Sequence, residues 1–146
     1  MKIAVCSDHG GFELKMKLIP FIETLGYEVS DFGCYSEASV DYPDFAFPMA
    51  EAVAAGEFER GIAVCGTGIG VSICCNKVKG IRCALCGDVL SAELTRRHND
   101  SNVCALGGRI IGVETAKAIV KTWLETGFDG GRHEGRIGKI SEYENR

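Results

Sequence analysis

The sequence predicts a single α/β domain: a doubly wound, five-stranded, mostly parallel sheet with helices on both faces, Rossmann-like in its layering. Three observations predict it. Five short apolar runs alternate with helical stretches along the chain, the pattern of successive βαβ units. The 146 residues suffice for one domain with a sizeable core. No internal repeat, low-complexity tract or linker divides them, so residues 1–146 read as one unit whose last part, 129–146, forms a tail. Right-handed crossovers would place helices on both faces of the sheet.

The elements follow in order. KIAVC (2–6) is the first apolar run, and SDHGG follows it. A helix runs from about Phe12 to Leu25, where Leu14, Leu18, Phe21, Ile22 and Leu25 recur at helical spacing. Gly26 suits the position after its end. YEVSDF (27–32) is the second run and opens into a polar loop containing VDYPDF (40–45). A helix near Pro48–Ala55 stops at Gly56. GIAVC (61–65) is the third run, followed by a glycine loop and a helix through about Lys77. IRCALC (81–86) precedes a helix at about Val89–Arg97, and NVCALG (102–107) precedes one at about Val113–Thr126. The last twenty residues are rich in glycine and charge, with room for a short terminal helix.

Composition removes several classes of function. A net charge of −4 gives no support for nucleic-acid binding as the main activity. No apolar run approaches the ~20 residues of a membrane helix. The N-terminal MKIAVCSDHGG turns polar too early for a secretory signal, so a cytoplasmic location is expected. Eight cysteines invite a disulfide or metal reading. Yet Cys6, Cys65, Cys83, Cys86 and Cys104 lie in or at the ends of aliphatic runs, where a free thiol acts as a small hydrophobe. The only CxxC, Cys83 to Cys86, sits within a strand whose period of two sends the pair to opposite faces. No second CxxC or histidine pair completes a zinc set, so no metal is expected.

Ligands of open α/β sheets bind beyond the C-terminal ends of strands. Three segments occupy such places: Ser7–Gly11, Cys65–Gly70 and Gly107–Arg109. The glycine loop is Gly66-x-Gly68-x-Gly70, which is neither a dinucleotide fingerprint nor a P-loop. Alternate glycines let backbone N–H groups converge on one spot, and the following helix adds its positive end. The same loop would also serve as a tight turn with no ligand. Cys65 stands at its mouth, where backbone donors activate a thiol as nucleophile or proton acceptor; a small core residue would look the same. Asp8-His9 could equally cap a helix. RRHND (96–100) lies at a helix end before the fifth strand, not obviously on the same rim. Arg132 and Arg136, four apart in GGRHEGRIGK (130–139), form with Arg109 a candidate phosphate grip, or with their neighbours a solvated tail.

Taken in order, SDHGG (7–11), SVDYPDFA (39–46), CGTGIGVSICCNK (65–77), RRHND (96–100), ALGGRIIG (105–112) and GGRHEGRIGKI (130–140) resemble the ribose-5-phosphate isomerase B family, which includes allose- and galactose-6-phosphate isomerases. The resemblance spans the whole chain. It implies an aldose–ketose isomerase of sugar phosphates acting through an enediolate, with no metal or organic cofactor. By motif position, Cys65 resembles the base that moves a proton between C1 and C2. Gly66, Thr67, Gly68, Ile69 and Gly70 match the loop that holds the enediolate oxygens. His98 matches the ring-opening residue; Asp8, His9 and Asn99 match hydroxyl or ring contacts; Arg109, Arg132 and Arg136 match the phosphate clamp; Tyr42 is a candidate wall. Some relatives place a glutamate where this chain has Val71, which leaves the base role to Cys65. The resemblance also implies a homodimer or dimer of dimers with the site between subunits. Ribose 5-phosphate is the expected substrate. A six-carbon sugar phosphate, or a phosphate-binding module without catalysis, are the alternatives.

Overall fold

A computed structural model describes residues 1–146. Its elements are β1 (Lys2–Ser7), α1 (Phe12–Thr24), β2 (Glu28–Asp31), α2 (Pro43–Ala54), β3 (Arg60–Cys65), α3 (Ile69–Asn76), β4 (Cys83–Leu85), α4 (Val89–Asn99), β5 (Val103–Gly107), α5 (Val113–Glu125) and α6 (Arg132–Glu144). The five strands form one sheet in the order β2-β1-β3-β5-β4. Every strand pair is parallel, so the expected "mostly parallel" sheet is wholly so.

The residue alternation of each strand builds the two layers. Ile3 and Val5, Ile62 and Val64, and Cys104 and Leu106 face one side, where they meet Leu14, Leu18 and Ile22 of α1 and Ile119, Val120 and Trp123 of α5. Ala4 and Cys6, Ala63 and Cys65, and Val103 and Ala105 face the other, against Met49, Ala50 and Val53 of α2 and Val71, Cys74 and Cys75 of α3. The second layer uses small residues, which lets α2 and α3 lie close to the sheet. Cys86 belongs to the first layer and Cys83 packs against the second, the opposite placement expected of the CxxC pair. All eight thiols are free. Burial pushes the Cys6 thiol up; a hydrogen bond with Cys75, then burial, does the same to Cys83.

Three elements differ from the sequence expectation, one being the tail, where α6 spans 13 residues in place of a short terminal helix. Helix α2 starts at Pro43 rather than near Pro48, which lies inside it. Proline at the first helical position loses no hydrogen bond, so Pro43 already satisfies that preference. An interior proline costs about 3 kcal/mol, and the fully buried Ala46, Met49 and Ala50 on one face of α2 offset it. Strand β4 is only three residues long. The Asn76 side chain donates to Cys83 O at 3.0 Å and accepts from Cys83 N–H at 2.8 Å, the two bonds a further strand would otherwise make along this edge. No helix is long and apolar enough to cross a membrane.

Chain order reverses between β1 and β3: β2 lies on one side of β1 and the later strands on the other. Their C-terminal ends therefore diverge into a crevice, the usual ligand position in such sheets.

Candidate active site

Two loops leave the crevice side by side. After β1, Asp8 N–H donates to Val64 O at 3.2 Å, tying this loop to β3. The Asp8 carboxylate accepts from Gly11 N–H at 3.0 Å and so holds the entry to α1. His9 Nδ1 accepts from Val40 N–H at 3.2 Å. In the neutral ring the proton then sits on Nε2. After β3, the glycine loop turns into α3. Gly68 has φ +80°, and a Cβ there would lie 2.5 Å from Leu85 and 2.8 Å from the Leu106 backbone, so only glycine fits.

The thiol of Cys65 ends β3 and is 4 % exposed. Gly68 N–H donates to its sulfur at 3.1 Å, and Ile69 N–H donates to Thr67 Oγ1 at 3.2 Å. The first intrahelical bond of α3 runs from Ser72 N–H to Gly68 O. Helix geometry leaves the N–H groups of Gly70 and Val71 without intrahelical acceptors, directed at the mouth of the loop. That is a donor pair beside a sulfur acceptor, with the helix dipole behind both. Val71 itself is buried under the loop and cannot offer a carboxylate in place of Cys65.

Arg109 crosses the crevice. Its backbone N–H donates to Gly66 O at 2.9 Å, and its side chain lies over Gly10 and Gly66, with contacts of 3.4 Å to the positions a Cβ would take. The Tyr42 ring covers Gly70 on the first turn of α3. A cavity of about 500 Å³ is lined by His9, Gly10 and Arg109, and one of about 430 Å³ by Asp8, His9 and Tyr42. They share His9, and neither is lined by Cys65. Asp8, His9, Tyr42, Cys65, the residues Gly66–Gly70 and Arg109 are thus brought together.

The remaining expected residues lie elsewhere. Helix α4 runs against the strand direction, so His98 and Asn99 reach the opposite, N-terminal rim of the sheet. There Arg82, just before β4, donates to Asn99 O at 2.9 Å and Asp100 O at 3.0 Å. Asp100 ends α4 in the left-handed region, φ +44°, and accepts from the buried Arg96 at 2.8 Å. Asp129 N–H donates to Arg97 O at 3.1 Å, and Arg97 Nε contacts both Asp129 carboxylate oxygens at 3.2 Å. This fixes where α6 begins and sets Arg132 and Arg136 beside the end of α4. The length of β3 separates the two clusters by roughly 15–20 Å. His133, given no place in the site by the sequence reading, stacks on His98 with ring centroids 4.5 Å apart and planes 14° apart. Its signal in the sequence was its place between the two arginines of the tail.

The family described as Ribose/Galactose Isomerase matches residues 3–140. Ribose-5-phosphate isomerase B of Escherichia coli is 47% identical over 145 residues, covering 99% of this chain and 97% of that one. The structure of Clostridium thermocellum ribose-5-phosphate isomerase B superposes with a TM-score of 0.98 at 53% identity, covering 99% and 98% of the two chains. Ribose-5-phosphate isomerase B from Mycoplasma genitalium with bound ribulose-5-phosphate superposes with a TM-score of 0.95 at 40% identity, covering 99% and 97%.

Proposed function

The chain belongs to the ribose/galactose isomerase family, and from that premise we propose that it interconverts D-ribose 5-phosphate and D-ribulose 5-phosphate through an enediolate, with Cys65 as the base. The observation that carries this reading is the thiol at the end of β3, accepting from Gly68 N–H at 3.1 Å beneath the start of α3. A C–H beside a carbonyl is weakly acidic, so a base needs donors where negative charge develops. Cys65, as thiolate, takes the proton from C2 of the aldehyde. The enediolate oxygens lie against the Gly70 and Val71 N–H groups and Thr67. The hydroxyl proton passes from O2 to O1 of the enediolate and the proton on sulfur returns to C1, giving the ketose and regenerating the thiolate. Asp8, His9, Ile69 and Tyr42 hold the carbon chain, and the phosphate at its far end anchors it so that one base serves both carbons.

The second part of the proposal is a homodimer. Within one chain His98, Asn99, Arg132 and Arg136 cannot reach Cys65, so a second copy supplies them, facing Arg109 across the crevice. His98 donates a proton to the ring oxygen of the furanose as the C1–ring oxygen bond cleaves and the anomeric hydroxyl gives its proton to water, which produces the aldehyde on which Cys65 acts. Exposed apolar side chains beside the catalytic loop support this reading. Ile69, Leu85 and Ile110 border a cavity of about 410 Å³ that also touches Thr67, and Ile110 is 69 % exposed. An apolar surface at that place suits a partner. Free thiols suit the reducing cytoplasm.

The test is Cys65→Ala. Turnover of ribose 5-phosphate is expected to fall at least ~10²-fold with KM little changed, and deuterium uptake from D2O to stop. Near-normal turnover removes Cys65 from the base role. Phosphate binding without any exchange in the wild-type protein would mean a binding module. A higher kcat/KM for allose or galactose 6-phosphate would move the substrate to six carbons.

A further inference from the structure

The mechanism gives His98 a task but does not say what aims its ring. The backbone of α4 is held at this point by Arg96 and Arg82 on Asp100, yet His98 stands two residues before that cap and is only half buried. A half-exposed imidazole has several rotamers open to it. One contact in the protomer restrains the plane of this ring: the buried His133, stacked on it 4.5 Å away and 14° from parallel. His133 is itself fixed, because α6 is anchored through Asp129 on Arg97 immediately before it and through Glu144, which accepts from Gly80 N–H at 3.0 Å, at its far end.

Resting on the reading above, we propose that His133 is the positioning residue for ring opening: its imidazole is a flat surface that holds His98 in the orientation needed to protonate the furanose oxygen. Proton chemistry stays with His98. The charged and titratable groups acting on His133 are His98 on α4, Arg132 and Arg136 on α6, and Asp129 before α6. Burial, then the positive fields of His98, Arg132 and Arg136, push the His133 pKa below its ordinary 6.5, with Asp129 opposing. The stack also explains why the tail carries a histidine between its two arginines: docking α6 delivers the phosphate grip and the oriented acid as one unit.

Ring opening can be separated from enolisation with a substrate that has no ring. Ribulose 5-phosphate is acyclic, because the hydroxyl that would close its furanose carries the phosphate. Deuterium uptake at C1 of ribulose 5-phosphate therefore reports enolisation alone, while turnover of ribose 5-phosphate reports both steps. For His133→Ala, kcat/KM on ribose 5-phosphate is expected to fall about tenfold or more with exchange into ribulose 5-phosphate within about twofold of wild type. His133→Phe keeps a flat ring without titratable nitrogens and is expected to recover most of the lost turnover. Parallel loss of both readouts would mean a general structural defect and overturn the proposal. So would full turnover in His133→Ala, or a Phe variant no better than Ala. His98→Ala separates the inference from the reading beneath it. Selective loss in His98→Ala with none in His133→Ala sinks the role of His133 alone; unchanged ring-form turnover in His98→Ala sinks the ring-opening assignment itself.

Discussion

At Gly70 the first turn of α3 has no room for a side chain. A Cβ would sit 2.8–3.1 Å from three atoms of the Tyr42 ring. The backbone there is ordinary helix, so alanine would favour α3 by about 1 kcal/mol. The clash would be relieved on the other side, since Tyr42 is 38 % exposed and can swing into solvent. Gly70→Ala is thus a way of removing Tyr42 from the site without removing the residue. We expect the melting temperature to change by only a few degrees and kcat/KM for ribose 5-phosphate to fall several-fold, roughly 1 kcal/mol of lost binding. In a Tyr42→Ala background, the same change at position 70 should cost almost nothing further. Additive losses would show that the added methyl group disturbs the Gly70 N–H and not the tyrosine.

Elements were legible where local rules and burial agreed. Helix α5 shows this: its buried Ala116, Ile119, Val120 and Trp123 recur at helical spacing, and sequence and structure place it at the same start, Val113. Legibility failed where a longer-range contact decided. Lys15 sits at a solvent-like position in the pattern of α1, yet it is fully buried, paired with Asp31 at 2.7 Å and bonded to Cys34 O. Its partners lie at the end of β2 and just after it, and nothing nearby in the chain announces them. The tail was the same problem. Gly130 to Lys139 read equally as a solvated segment, because what makes it a helix with a purpose is the docking of Asp129 on Arg97. That pair is exposed, so it adds little to stability. Its effect should appear in ligand binding. Asp129→Asn is expected to leave the melting temperature within a few degrees and to raise KM for ribose 5-phosphate several-fold, with kcat changing less. Salt screens the wild-type pair, so raising ionic strength should narrow the difference between variant and wild type. A variant whose KM stays at the wild-type value would show that α6 holds its arginines without this strut.

At the scale of the whole molecule, the fold and the rim on which Cys65 stands were readable from one chain, and which copy supplies the rest of the proposed site was not. The motif order placed Cys65, the glycine loop and Arg109 on one rim, and the structure brings them together. The same reading grouped His98, Asn99, Arg132 and Arg136 with them, but sequence carries no record of which copy supplies a side chain. Chain direction does: α4 must return to the start of β5, so its end lies a strand's length from Cys65. Two copies related by a two-fold axis can place each lower cluster against the other's upper cluster, giving two shared sites per dimer. This has a consequence that no single-chain site can imitate. Cys65→Ala and His98→Ala should each be nearly inactive alone. Unfolded together in equal amounts and refolded, half of the dimers are mixed, and each mixed dimer has one site with both wild-type groups and one with neither. Activity should then recover to about a quarter of the wild-type value. If Cys65 and His98 of the same chain formed each site, every site in the mixture would lack one group, and refolding would restore nothing.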